Sequence, residues 1–123
     1  MILLDTHAVV WLHLGNRRSR PLERVHGGLF VSPATVLELQ LLAEIGKVTL
    51  KRGATVLEIV EDDRWAVDDP ASAAWFERAV ELAWTRDPFD RLLVAHARLR
   101  GWRLATADRH LLEQLTSGEC FEL

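Results

Sequence analysis

The chain opens Ile2-Leu3-Leu4-Asp5-Thr6-His7-Ala8, three apolar residues in a row broken at once by an acid. A strand with one wet face alternates apolar and polar residues. A short unbroken apolar run instead marks a strand covered on both faces, the situation of a parallel sheet lying between helices. Asp5 stands where the chain leaves the carboxyl end of that strand, and in such sheets ligands gather outside the carboxyl ends.

The rest of the chain repeats the alternation. Ala8 to Leu14 reads as a helix closed by Gly15-Asn16, and Arg17 to Gly28 as a polar, turn-rich connection. Leu29-Phe30-Val31 is a second buried strand. Ser32-Pro33 opens a helix to about Ile45, with serine as cap and proline in the first turn, where its missing N–H is harmless; Gly46 stops it. Val56 to Val60 is a further helical piece and Trp65-Ala66-Val67 a third strand. Asp69-Pro70 is expected to begin a helix to about Trp84, and Asp87-Pro88 another to about Arg100, stopped by Gly101. Trp102 to Thr106 reads as a fourth strand, Asp108 to Leu115 as a helix, and Cys120-Phe121-Glu122 as a last edge strand. Strands alternating with helices imply an α/β fold in three layers, with a central, mostly parallel sheet of four or five strands flanked by helices.

Composition bounds the classes. With 123 residues, 49% apolar and 27% charged, the chain is expected to form a single domain, residues 1–123, without a linker, repeat or disordered tract. No apolar run nears the roughly 20 residues that span a bilayer, so no membrane role is expected. Asp5 interrupts the first apolar run too early for a secretory signal. The single cysteine, Cys120, can form neither an internal disulfide nor a thiolate zinc site, and the cytoplasm is the expected compartment. A net charge of −3 does not announce a nucleic-acid binder, but acids gathered at one metal site would distort that count.

Four acids invite that reading. Asp5 and Asp108 both follow strands and emerge on one edge of the sheet, although each is equally a favoured cap for the helix after it. Glu38 has Ala34, Thr35, Leu41 and Leu42 as helical neighbours and Ile45 a turn further on, which places it on an apolar stripe facing the sheet. A rotated helix would let it reach solvent, but Gln40 and Glu44 already mark a different polar face. Asp90 shares a face with Leu93, Val94 and Ala97; Asp87, just ahead of Pro88, reads as the cap. Carboxylates brought together repel and need a cation, and Mg²⁺ suits such oxygen ligands while leaving room for water and phosphate. The pattern points to an acidic metal site for phosphoryl transfer.

At these residues the chain resembles PIN-domain proteins, in particular the VapC-type toxins of bacterial and archaeal toxin–antitoxin pairs. The resemblance runs through Leu3 to Ala8, Ser32 to Gly46 around Glu38, Arg86 to Ala95 with Asp87-Pro88-Phe89-Asp90-Arg91 at its heart, and Ala105 to Asp108. It implies an endoribonuclease using Mg²⁺ or Mn²⁺, usually homodimeric and silenced by a cognate antitoxin protein. It also implies catalytic and metal-holding roles for Asp5, Glu38, Asp90 and Asp108, with Asp87 as a nearby participant and Thr106 as the hydroxyl residue beside the fourth acid. The related branch often carries His-Arg before the Asp-Pro-Phe-Asp-Arg run; here Thr85 stands for the histidine.

Other features remain open. His7 and His96 are as easily structural or surface residues as catalytic ones. Arg17, Arg18, Arg20 and Arg24 form a basic patch able to grip RNA phosphates, to meet an antitoxin, or simply to be solvated. Trp11, Trp65, Trp75, Trp84 and Trp102 read as core or interface anchors; Trp11 or Trp75, if exposed, would be an antitoxin or dimer contact. The rival functions are a PIN nuclease that is not a toxin and an inactive PIN-like binding module. Intact acids at all four positions weigh against the second. A receiver-like α/β domain would place paired acids near the first strand and a lysine after a late strand, and neither is found.

Overall fold

A computed structural model describes all residues, Met1–Leu123. Five strands, β1 (Ile2–Leu4), β2 (Leu29–Val31), β3 (Ala66–Val67), β4 (Arg103–Thr106) and β5 (Cys120–Glu122), form one sheet in the order β3-β2-β1-β4-β5. All four pairings are parallel. Seven α-helices connect them: α1 (Thr6–Leu14), α2 (Arg20–Glu23), α3 (Pro33–Glu44), α4 (Val56–Val60), α5 (Ser72–Val80), α6 (Pro88–Arg100) and α7 (Arg109–Gln114). None of them is long and apolar enough to cross a membrane.

The apolar run that opens the chain is the central strand and has no exposed face. Side chains alternate across a strand. Accordingly, Ile2 and Leu4 join one cluster with Val9, Leu12, Leu39 and Ile59, while Leu3 joins a second with Trp75, Leu93, Leu104 and Leu111. The edge strand β3 is exposed along its length, as expected where one side of a sheet stops.

From β1 the chain builds outward to β2 and β3, then crosses back to the other side of β1 for β4 and β5. The direction reverses between β1 and β4. Because parallel strands return through helices, a crevice opens there at the carboxyl ends, between helices that diverge onto opposite faces. Asp5 and Asp108 are the acids that follow those two strands.

Three expectations need correction. Arg17 to Gly28 is not simply irregular: Arg17–Ser19 form a 3-10 turn, α2 follows, and Leu22 is buried in the first cluster. The helix expected from Asp69-Pro70 to Trp84 starts at Ser72 and ends at Val80. Asp68, held by Arg100 and His96, anchors the chain ahead of the helix. After it, Leu82 turns into the core and Thr85 is tied to α6, its carbonyl accepting from Arg91 Nε at 2.8 Å. Trp65 precedes β3 rather than extending it, its indole N–H donating to the Val60 carbonyl at 3.2 Å from within the core.

Candidate functional site

Three helices begin at the crevice, each capped by one of the candidate acids. Asp5 Oδ1 accepts from the Ala8 amide at 2.8 Å and caps α1. Asp87 Oδ1 accepts from Phe89 and Asp90, at 2.8 and 3.2 Å, and caps α6. Asp108 Oδ1 accepts from Leu111 at 3.1 Å and caps α7. The sequence posed capping and site membership as alternatives. The geometry makes them compatible, since a carboxylate has two oxygens and each cap uses Oδ1. Three helix N-termini also bring the positive ends of their dipoles to the place where the acids gather.

Asp5, Glu38, Asp87, Asp90 and Asp108 all line one open cleft of about 590 Å³. Thr6, His7, Trp11, Arg18 and Lys47 share its walls. Asp5 is buried, Glu38 and Asp90 are half-buried, and Asp87 and Asp108 are exposed. Glu38 faces the cleft, and the stripe expected around it holds only in part: Ala34 and Thr35 are buried and Leu42 packs on the core, but Leu41 and Ile45 are exposed, and Leu39 is the buried anchor of α3. The helix is rotated so that Glu38 meets Thr6 instead of the sheet. The Thr6 hydroxyl donates to Glu38 Oε1 and shares a further hydrogen bond with the Thr35 hydroxyl at 3.3 Å. Thr106, fully buried, accepts from the Asp108 amide at 3.1 Å and fixes the turn after β4. Thr85 does the same ahead of α6, accepting from the Asp87 amide at 3.2 Å.

The electrostatics are those of crowded anions. Burial pushes the Asp5 and Glu38 carboxyls above their ordinary values, against the pull of hydrogen bonds from Thr106 and Ala8 on Asp5 and from Thr6 on Glu38. Asp90 is raised from 3.8 to about 7 by burial first, then by Asp87, Asp108, Glu38 and Asp5. Asp62, Asp68, Glu119 and Glu122 each sit within an ion pair, whereas none of the five cleft acids does. Hard oxygen donors, mutual repulsion and no cationic side chain paired to them fit a divalent cation. As the side chains stand, no three of them are gathered closely enough to hold one.

The histidines part company. His7 is exposed in the cleft. His96 is fully buried on α6, away from the cleft lining, with Nε2 2.7 Å from Asp68 Oδ2 and Nδ1 without a partner. Trp75, read from sequence as a core anchor or, if exposed, a contact, is buried and donates its indole N–H to the Leu92 carbonyl at 2.8 Å. Of the basic patch, Arg18 alone reaches the cleft wall. Lys47 carried no local signal: it arrives there only because the chain turns at Gly46, with the Lys47 amide donating back to the Leu42 carbonyl.

The PIN domain family model matches residues 2–115. The chain belongs to the PIN domain family. Family members are generally nucleases that use divalent metals, and the acid-lined crevice of this PIN domain lies where the sheet order reverses. Among solved structures, a toxin–antitoxin complex from Klebsiella pneumoniae contains a similar chain, with a TM-score of 0.72, 19% identity and 100% of each chain covered. FitAB bound to an IR36 DNA fragment is similar at a TM-score of 0.57 and 20% identity, over 99% of this chain and 94% of that one. FitAcB from Neisseria gonorrhoeae gives 0.55 and 21%, over 92% and 91%. These likenesses establish the shared PIN fold. No curated protein matches the chain in sequence.

Proposed function

We propose that this PIN domain is a metal-dependent endoribonuclease, the toxin of a toxin–antitoxin pair, acting in the cytoplasm and held silent by a cognate antitoxin protein. The observation that carries the reading is the meeting of five carboxylates, from the ends of β1 and β4 and from α3 and α6, in one solvent-open cleft. Burying and crowding carboxylates costs several kcal/mol unless something offsets it, so a purely structural role accounts poorly for the arrangement.

Asp5, Glu38, Asp90 and Asp108 would hold Mg²⁺ or Mn²⁺, with Asp87 alongside. When bound, such an ion lowers the pKa of a coordinated water and offsets charge developing at phosphorus. The chain's own part is positioning. The caps on α1, α6 and α7 fix Asp5, Asp87 and Asp108 through Oδ1. Thr6 orients Glu38, and Thr106 and Thr85 set the turns that present Asp108 and Asp87. The toxin assignment is supported by the fold shared with chains from toxin–antitoxin complexes. A homodimer is part of the proposal; exposed Leu37 and Leu41 on α3, Ile45 just after it and Leu57 on α4 offer an apolar face for it.

The test is cleavage of a mixed RNA pool by purified, antitoxin-free protein in Mg²⁺, Mn²⁺ or EDTA, beside Asp5→Asn. Cutting that needs metal and disappears in the variant is the expected result. If wild type and Asp5→Asn behave alike in every metal, the acids are structural and an inactive binding module is the better reading.

A further inference from the structure

A cleft lined by five acids must still admit a polyanion, and one wall is built differently from the rest. Trp11, half-buried on α1, carries the Arg18 guanidinium over its ring at 4.3 Å from the centroid. The His7 ring, one helical turn earlier, lies 6.4 Å from Trp11, tilted by 53°. Lys47 reaches the same cleft from the turn after α3. No hydrogen bond or ion pair commits Arg18 or Lys47 side chains to a protein partner, whereas Arg64, Arg98 and Arg100 are all paired.

We infer that Trp11 and Arg18 form a stacking platform for a nucleobase next to the scissile phosphate, with Lys47 and Arg18 offsetting the charge of the flanking phosphates. The inference rests on the ribonuclease reading above and adds to it the place where one unstacked base is held. An indole ring topped by a guanidinium presents a wide flat cationic surface, and bases stack on either group whatever their identity. A base can reach such a surface only when it is unstacked from its neighbours, which a single strand allows and a duplex resists. The cations also explain how phosphates approach a cleft whose carboxylates repel them. Trp11 and Arg18 act here as positioning residues.

The test uses the Asp5→Asn protein, expected to hold RNA without cutting it, and short RNA carrying 2-aminopurine at successive positions, single-stranded or annealed to its complement. Stacking should quench the probe at one or two positions of the single strand and not in the duplex. The quenching should vanish in Trp11→Ala and persist in Trp11→Phe, which keeps an aromatic face. In the cleaving protein, Trp11→Ala and Arg18→Gln should raise KM for single-stranded RNA roughly ten-fold or more, with kcat changed far less. Lys47→Ala should lower affinity for all sequences and make it less salt-dependent. Thermal melts of each variant separate these effects from misfolding, and Trp11→Phe covers the case in which Trp11→Ala does not fold. Wild-type KM and undiminished quenching in Trp11→Ala would overturn the inference and leave the ring to a protein partner. If the wild type cuts no RNA in any metal, the ribonuclease reading fails on its own, and the quenching alone decides whether the platform exists.

Discussion

Asp90 turns the crowding of the cleft into a measurable pH dependence. Its carboxyl is raised from 3.8 to about 7 by burial and by four neighbouring acids. Below pH 3.8 it is protonated in both the folded and unfolded chains and adds no pH dependence. Between these values the unfolded chain has lost the proton and the folded one retains it, so stability falls as pH rises towards 7. Melting curves in EDTA should therefore show Asp90→Asn gaining stability over wild type as pH climbs from 4 to 7 and keeping that gain above it. Excess Mg²⁺ should shrink the difference by stabilising the wild type. The comparison has to be made against the variant because His96 works in the opposite sense: its burial lowers its pKa below 6.5, so its contribution is lost as pH falls beneath that value. His96 is packed between Trp75 and Trp102 and anchored on Asp68. Removing its ring with His96→Ala should cost about 3 kcal/mol in denaturant unfolding.

The helices show why the acids are where they are. The carboxylate that ends the unpaired amides of α6 also stands at the cleft, so Asp87 serves two purposes that one substitution can separate. Serine caps a helix about as well as aspartate, whereas alanine loses about 1 kcal/mol. Asp87→Ser should thus melt close to wild type while cleaving roughly ten-fold more slowly, and Asp87→Ala should lose both activity and stability. A serine variant with full activity would assign Asp87 to the cap alone. The stops are equally physical: α1 and α6 end at Gly15 and Gly101, both at φ 68°, where a side chain would strain the backbone.

At the scale of the molecule, the sheet is covered on both faces, but α3 and α4 still expose apolar side chains. Leu37 is 57% and Leu57 65% exposed, beside Ile45 at 64%. They add little to the fold of one chain and are available to a second copy. Leu41→Lys with Ile45→Lys should shift the protein from dimer to monomer in sedimentation velocity with little change in melting measured at equal monomer content. An unchanged dimer would place the contact elsewhere, with exposed Phe76 and Val80 on α5 as the next face to charge.

What was legible in the sequence was most of what local chemistry governs. The unbroken Ile2-Leu3-Leu4 run predicted a doubly covered strand, Ser32-Pro33 and Asp87-Pro88 the starts of α3 and α6, Gly15 and Gly101 the ends of α1 and α6, and the acids after β1 and β4 a shared edge. The family followed from the motifs around Asp5, Glu38, Asp90 and Asp108. Local pattern failed where a distant contact decides. The helix begins later than Asp69-Pro70 signals because Asp68 is held by Arg100 and His96, residues of α6. The face of α3 is only partly legible, because Glu38 answers to Thr6 on another helix. Periodicity names the faces of a helix, but packing against the other layers selects which face turns inward. Only the tertiary structure could bring Lys47, Arg18 and Trp11 onto the wall of the acidic cleft, because no spacing in the sequence records a meeting of side chains from separate turns and helices.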